Sequence, residues 1–275
     1  LMLSVLLMCF GSLIIACTPS YATIGVFAPA LLLVARLLQG LSLGGEYGAS
    51  ATYMSEMAGR SRRGFWSSFQ FMSIILGQLT ALGVLIVLQA TMPVEALEAW
   101  GWRIPFAIGG ALAVVVFWIR RGLEESASFR IAQASGAKPA STLMLLRDHP
   151  RETFMIFGLT AGGSLAFYAY TTYMQKFLVN TTGFSKATAT SVTAAALILY
   201  MLLQPLYGLI SDKVGRKTLL IAGFVCGSVA TYPAMSAIAV AQSPLVALLL
   251  MMGLLAILSG YTAINAVVKA ELFPA

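Results

Sequence analysis

The sequence predicts an all-α polytopic membrane protein, and three observations carry that prediction. Of 275 residues, 59% are hydrophobic and only 10% are charged, with a mean hydropathy of +0.87. A soluble domain of this size would carry about a quarter charged residues. The apolar residues fall into runs long enough to cross a hydrocarbon core of roughly 30 Å, which takes about 20 helical residues. The basic residues gather in alternate loops, as they do where the chain threads back and forth through a bilayer.

Eight runs meet that description, at 1–18, 28–57, 65–89, 104–119, 153–177, 187–210, 218–241 and 245–268. The first has the length of a signal-peptide core, but it lacks a charged leader and seven comparable runs follow it. The fourth is the shortest. Cys9, Cys17 and Cys226 all fall inside apolar runs and read as small packing residues, so no disulfide framework is expected. His149 is the only histidine and lies in the longest loop. No metal-spaced His/Cys cluster and no nucleotide-binding glycine loop occurs, so no cofactor, metal site or enzymatic activity is expected.

Thirteen of the 17 Lys and Arg residues lie in loops on one side: Arg60, Arg62, Arg63, Arg120, Arg121, Arg130, Lys138, Arg147, Arg151, Lys213, Arg216, Lys217 and Lys269. The other side has Arg103, Lys176 and Lys186, and Arg36 alone sits within a run. The richer side is expected to be cytoplasmic, with both ends of the visible chain there. The net charge of +7 therefore reports topology rather than a nucleic-acid partner. The polar loop at 120–152, with Arg121, Glu124, Glu125, Gly136 and Pro139, separates two groups of four spans, 1–119 and 153–275. Shifting the chain by 215 residues places Pro29 on Pro244, Gly45 on Gly260 and Glu56 on Glu271. This internal register suggests two related halves, and the visible chain is expected to be a fragment of a twelve-helix protein lacking two helices before Leu1 and two after Ala275.

The second span, with ARLLQGLSLGGEYGASATYMSEMAGRSRRG at 35–64, carries the densest chemistry. Gly40, Gly44 and Gly48 line one helix face with no side chains, which suits either a sliding contact or static small-residue packing. Arg36 is a charge within an apolar helix, and such charges persist with a partner or a function. Its planar guanidinium can hold a carboxylate through two hydrogen bonds; the alternative is an internal salt bridge. Gln39 lies one turn further on. Glu46, the only acid deep in a visible span, is a candidate for carrying a coupled proton or for a fixed hydrogen bond.

In the fifth span, FYAYTTYMQK at 167–176 crowds Tyr168, Tyr170 and Tyr173 with two threonines. At helical spacing Tyr170 and Tyr173 share a face, as hydroxyl donors to a cavity or as part of an interfacial aromatic belt. Gly158, Gly162 and Gly163 would let that helix bend. Gln78, Gln204, Tyr261 and Asn265 are further polar residues within spans that could line a path, although one buried hydrogen bond would explain each.

Between the sixth and seventh spans stands GLISDKVGRK, 208–217. Gly208 permits close approach of two helices, Asp212 can cap the start of a neighbouring helix, Gly215 turns the chain, and Lys213, Arg216 and Lys217 hold the cytoplasmic side. The spacing Gly-x-x-x-Asp-Lys-x-Gly-Arg-Lys resembles the signature loop of the major facilitator superfamily. With RRGFWSSFQ, GWRIPFAIGG, RRGLEES, SLAFYAYTTYMQKFLVN and AELFPA, the whole chain is similar to the metabolite:proton symporter family of that superfamily.

The resemblance implies the major facilitator fold and proton-coupled uptake of a dicarboxylate, most specifically α-ketoglutarate, across a bacterial inner membrane by alternating access. The implied partners are a small organic anion, a proton and the lipid bilayer, with the full-length protein acting as a monomer. Relatives in that family carry citrate, shikimate, proline or betaine. Arg36, Gln39, Tyr168, Tyr170, Tyr173, Gln204, Tyr261 and Asn265 are the expected substrate contacts and Glu46 the proton carrier. Asp212, Arg216 and Glu271, with Glu56 and Arg63, would latch the cytoplasmic gate. A channel would need a more continuous polar lining, and a membrane sensor would need a signalling domain.

Overall fold

The computed structural model describes residues 2–57, 62–120 and 147–272, and these are helical almost throughout. In order they form α1 (Met2–Cys17), α2 (Tyr21–Ile24), α3 (Phe27–Met57), α4 (Arg63–Thr91), α5 (Val94–Ala99) and, after a 3₁₀ turn at Gly101–Arg103, α6 (Ile104–Arg120). Then come α7 (Pro150–Tyr168), a π-helical turn at Ala169–Tyr173, α8 (Met174–Asn180), α9 (Lys186–Val214), α10 (Arg216–Ala239), α11 (Pro244–Thr262) and α12 (Asn265–Leu272). An all-helical fold suits a bilayer, since a helix pairs its backbone N–H and C=O groups within its own segment.

All eight expected spans are helices. Among the described residues, six are long and apolar enough to cross a membrane. The other two, α1 with 16 residues and α6 with 17, are shorter apolar helices. Most of the loop expected at 120–152, including Arg121, Glu124 and Glu125, lies outside the described residues; only Arg120 and 147–152 fall within them.

The chain forms two compact units, residues 1–50 with 84–138, and 51–83 with 139–275, so the boundaries fall inside α3 and α4. In the first unit α1 packs on α6 where Gly109 and Gly110 face Ser12 and Leu13. It meets α3 at Gly11, where an added Cβ would stand 2.9 Å from the Ala35 carbonyl oxygen. Higher on the same pair, Ser42 Oγ donates to the Ser4 carbonyl at 2.5 Å. Such contacts through small residues are the main source of helix association in lipid, where apolar burial gives no preference for protein neighbours.

In the second unit α10 and α11 cross with Gly223 and Gly260 facing each other. Helices α9 and α11 are joined by a buried polar network. Tyr200 Oη donates to Thr262 Oγ1 at 2.9 Å, and Thr262 Oγ1 donates to Gln204 Oε1 at 3.0 Å. Gln204 Nε2 donates to Ser259 Oγ at 3.2 Å and to the Tyr200 carbonyl at 3.1 Å.

Two departures from a regular helix appear. The fifth span runs to Asn180 and carries the π turn; the eighth stops at Thr262, breaks at Ala263–Ile264 and resumes at Asn265. The N–H of Val267 that the break leaves over donates to Ser67 Oγ on α4 at 3.1 Å, a cap supplied from another helix.

The stripe Gly40, Gly44 and Gly48 corrects an expectation. Among the described residues a Cβ added at any of the three would meet nothing within 4 Å, so no described helix makes the close contact foreseen there. Close approaches fall instead at Gly11, Gly64, Gly110, Gly163 and Gly208. Spacing alone specifies a smooth face and not what covers it.

Candidate functional site

The signature loop has the tightest geometry. Asp212, in the last turn of α9, accepts from the backbone N–H of Gly64 at 2.8 Å and of Phe65 at 3.1 Å, one carboxylate oxygen to each. It thereby caps the first turn of α4 with a full negative charge, where the helix dipole favours one. The approach depends on two glycines. A Cβ on Gly208 would stand 2.7 Å from the Gly64 carbonyl oxygen and 2.9 Å from Phe65 Cα, and a Cβ on Gly64 would stand 2.2 Å from Ser211 Oγ. Gly215, at φ 94°, ends α9 in a conformation that favours glycine and starts α10 on the next residue.

Arg216 donates to Glu271 and lies 3.9 Å from Asp212, and Arg63 lies 3.6 Å from Glu271. Side-chain exposure falls from 35% at Arg63 to 11% at Asp212. The cap on Asp212 is therefore the sheltered element, and the outer ion pairs are worth about 0–1 kcal/mol each. Lys213 and Lys217 are exposed. The side chains of Glu56 and Glu46 lie outside the described residues, although both positions are helical in α3.

In the first unit Arg36 stands exposed on α3. Its Nη1 donates to Gln39 Oε1 at 3.2 Å, and Gln39 Nε2 donates to Ser12 Oγ on α1 at 3.0 Å. Among the described residues no carboxylate lies within ion-pairing distance of Arg36.

In the second unit the three tyrosines separate. Tyr170 is buried, with its hydroxyl 2.5 Å from Thr231 Oγ1, whereas Tyr168 and Tyr173 are more than half exposed. The π turn accounts for the division: its wider winding takes Tyr173 off the face it would share with Tyr170 in a regular α-helix. Gln78 on α4 donates to Thr172 Oγ1 at 3.3 Å beside that turn.

Tyr261 is buried against Gly163 of α7, with ring atoms about where a Cβ would sit, and Asn265 is buried at the start of α12. Gln204 is fully buried in the α9–α11 network, and its amide is engaged there.

Sequence reasoning paired Asp212 with a helix start but did not identify Gly64 and Phe65 as what meets it. The basic-glycine step RRG ahead of an apolar run was the available signal. Ser12, Thr231 and Thr262 carried none, because a lone hydroxyl in a membrane helix has too many ordinary explanations.

Residues 1–141 match the family described as sugar (and other) transporter, and residues 156–275 match the major facilitator superfamily. Over all 275 residues the chain is 52% identical to the alpha-ketoglutarate permease of Escherichia coli (strain K12), covering 63% of it. It is 32% identical to a citrate-proton symporter of Klebsiella pneumoniae, with 100% of this chain and 62% of that protein aligned. It is 29% identical to the glycine betaine/proline/ectoine/pipecolic acid transporter of Dickeya dadantii (strain 3937), with 100% of this chain and 56% of that protein aligned. The chain thus spans less than two thirds of the length of these relatives, which are permeases, symporters and transporters rather than enzymes. Among solved structures, a xylose transporter of E. coli in a partially occluded inward-open conformation superimposes with a TM-score of 0.71 at 19% identity, over 99% of this chain and 67% of that one. At that identity the likeness establishes the fold.

Proposed function

We propose, from the premise that this chain belongs to the sugar (and other) transporter family and the major facilitator superfamily, that the full-length protein is a proton-coupled carrier. It takes up a small organic anion, most specifically α-ketoglutarate, across the bacterial inner membrane by alternating access. The observation that carries this reading is Arg36. A guanidinium in the middle of an apolar helix, exposed and with no carboxylate near it among the described residues, is suited to hold an anion. A desolvated carboxylate would take two of its donors in one plane. The 52% identity to an alpha-ketoglutarate permease supports a dicarboxylate, and the citrate-proton symporter supports the same charge class and proton coupling.

In this account Arg36 holds one carboxylate and Glu46 exchanges the proton. The Asp212 cap, with Arg63, Arg216 and Glu271, is the cytoplasmic latch that must open and close in each cycle. The driving energy is the proton gradient, and the working unit is a monomer with both ends of this segment in the cytoplasm. The second reading is a zwitterion such as proline or betaine, favoured by the 29% identical relative.

Uptake by the full-length protein in proteoliposomes with an imposed inward proton gradient tests the assignment. Labelled α-ketoglutarate should accumulate, competed by dicarboxylates and untouched by proline or betaine. Accumulation of betaine, with no response to dicarboxylates, would reverse the assignment.

A further inference from the structure

Gln39 and Phe106 contact the Arg36 guanidinium, and Ser12 on α1 holds the glutamine. The bond from Arg36 Nη1 to Gln39 Oε1, 3.2 Å, fixes one end of the group from one turn along α3. The glutamine is itself fixed, because its Nε2 donates at 3.0 Å to Ser12 Oγ, in a serine only 7% exposed. The chain crosses between helices at Gly11: a Cβ there would stand 2.8 Å from Gln39 Cγ, so the stem of the glutamine lies directly against the α1 backbone. From α6, the Phe106 ring places its centroid 5.8 Å from Arg36 Cζ, within the range where an aromatic face attracts a cation.

We infer that Ser12, Gln39 and Phe106 form a positioning device for Arg36. The amide takes one Nη1 proton and the ring faces the cation, which leaves the Nε and Nη2 donors as an edge for a planar carboxylate. An arginine on a free stem loses rotamer freedom when it grips a ligand, and one already held loses less. The inference rests on the reading that Arg36 binds the substrate, and it assigns Gln39 a different task. Gln39 acts through Arg36, as a positioning residue, and touches no substrate. Its neutrality matters too, since a carboxylate at that place would pair with the guanidinium and compete with the anion.

Equilibrium binding of α-ketoglutarate to the purified full-length protein provides the test, with thermal stability recorded for every variant. Ser12→Ala should weaken binding roughly three- to tenfold, the worth of one hydrogen bond. Gln39→Leu should weaken it further, and Ser12→Thr, which keeps the hydroxyl, should bind as the parent does. Arg36→Lys should remove most of the affinity, and adding Ser12→Ala to it should then change nothing, because the serine acts only through the guanidinium. The positioning role is overturned if Arg36→Lys weakens binding while Ser12→Ala and Gln39→Leu do not, or if Ser12→Ala costs the same factor with lysine at position 36. An unchanged affinity in Arg36→Lys alone would instead overturn the substrate reading, and the positioning role with it.

Discussion

Asp212→Asn is the substitution that bears most directly on the latch. The side chain is 11% exposed, and its two oxygens accept from two consecutive N–H groups at 2.8 and 3.1 Å. An amide keeps one acceptor and turns an NH₂ toward the other N–H, so one charge-assisted bond is lost. Such a bond contributes about 1.5–3 kcal/mol, and the charge at the start of α4 a further 0.3–1 kcal/mol or so. The Arg216 contact at 3.9 Å adds less than about 1 kcal/mol in its partly exposed setting. The closed contact should therefore weaken by about 2–5 kcal/mol, at least roughly thirtyfold in the equilibrium it governs. Exchange at saturating substrate should slow by about an order of magnitude or more, because every cycle passes through this contact. Substrate affinity should stay nearly unchanged, because the residue lies outside the proposed binding site. Both quantities are measured on one reconstituted preparation of the full-length protein. Full-rate exchange would refute the latch, and a parallel loss of affinity would move Asp212 into the binding site. Gly208→Ala offers a charge-free control, since its Cβ would stand 2.7 Å from the Gly64 carbonyl oxygen; it should show the same split.

Three further outcomes are expected. Gly163→Ala would place a Cβ 2.0 Å from Tyr261 Cε1, and the overpacking should cost about 1–3 kcal/mol; a lowered Tm, recovered when Tyr261→Ala is added, is the check. Gln204→Leu should lower the Tm through loss of the network with Ser259 and Thr262, by about 0.5–2 kcal/mol for hydrogen bonds in a membrane bundle, with α-ketoglutarate affinity held. A loss of affinity at unchanged Tm would make Gln204 a substrate ligand. Glu46→Gln should abolish uphill accumulation and preserve exchange if Glu46 carries the proton, whereas equal loss of both would give it a fixed role.

The spans were legible because lipid imposes one rule on every segment, an apolar run with its backbone bonds closed internally. The helix start capped by Asp212 was legible in kind, since a carboxylate beside glycine at a helix end has few uses. The π turn was not, since nothing in AYTTY marks it. The break at Ala263–Ile264 has no glycine or proline to announce it. It is tolerated because Ser67, some two hundred residues away, takes the Val267 N–H. Around Arg36, the bond to Gln39 follows from i,i+3 spacing, but Ser12 and Phe106 join only through the register of α1 and α6 against α3. Polar side chains in spans were hardest to sort, since Gln39 and Gln204 look alike in the sequence and one ends beside a cation and the other inside a closed network.

Counterflow of labelled α-ketoglutarate tests the account most directly. Proteoliposomes of the full-length protein, preloaded with unlabelled α-ketoglutarate and diluted into a trace of label, should take up label transiently above its equilibrium level, because a carrier returns faster when loaded than when empty. Label that merely rises to equilibrium at the same rate with and without internal substrate would contradict alternating access and point to a channel.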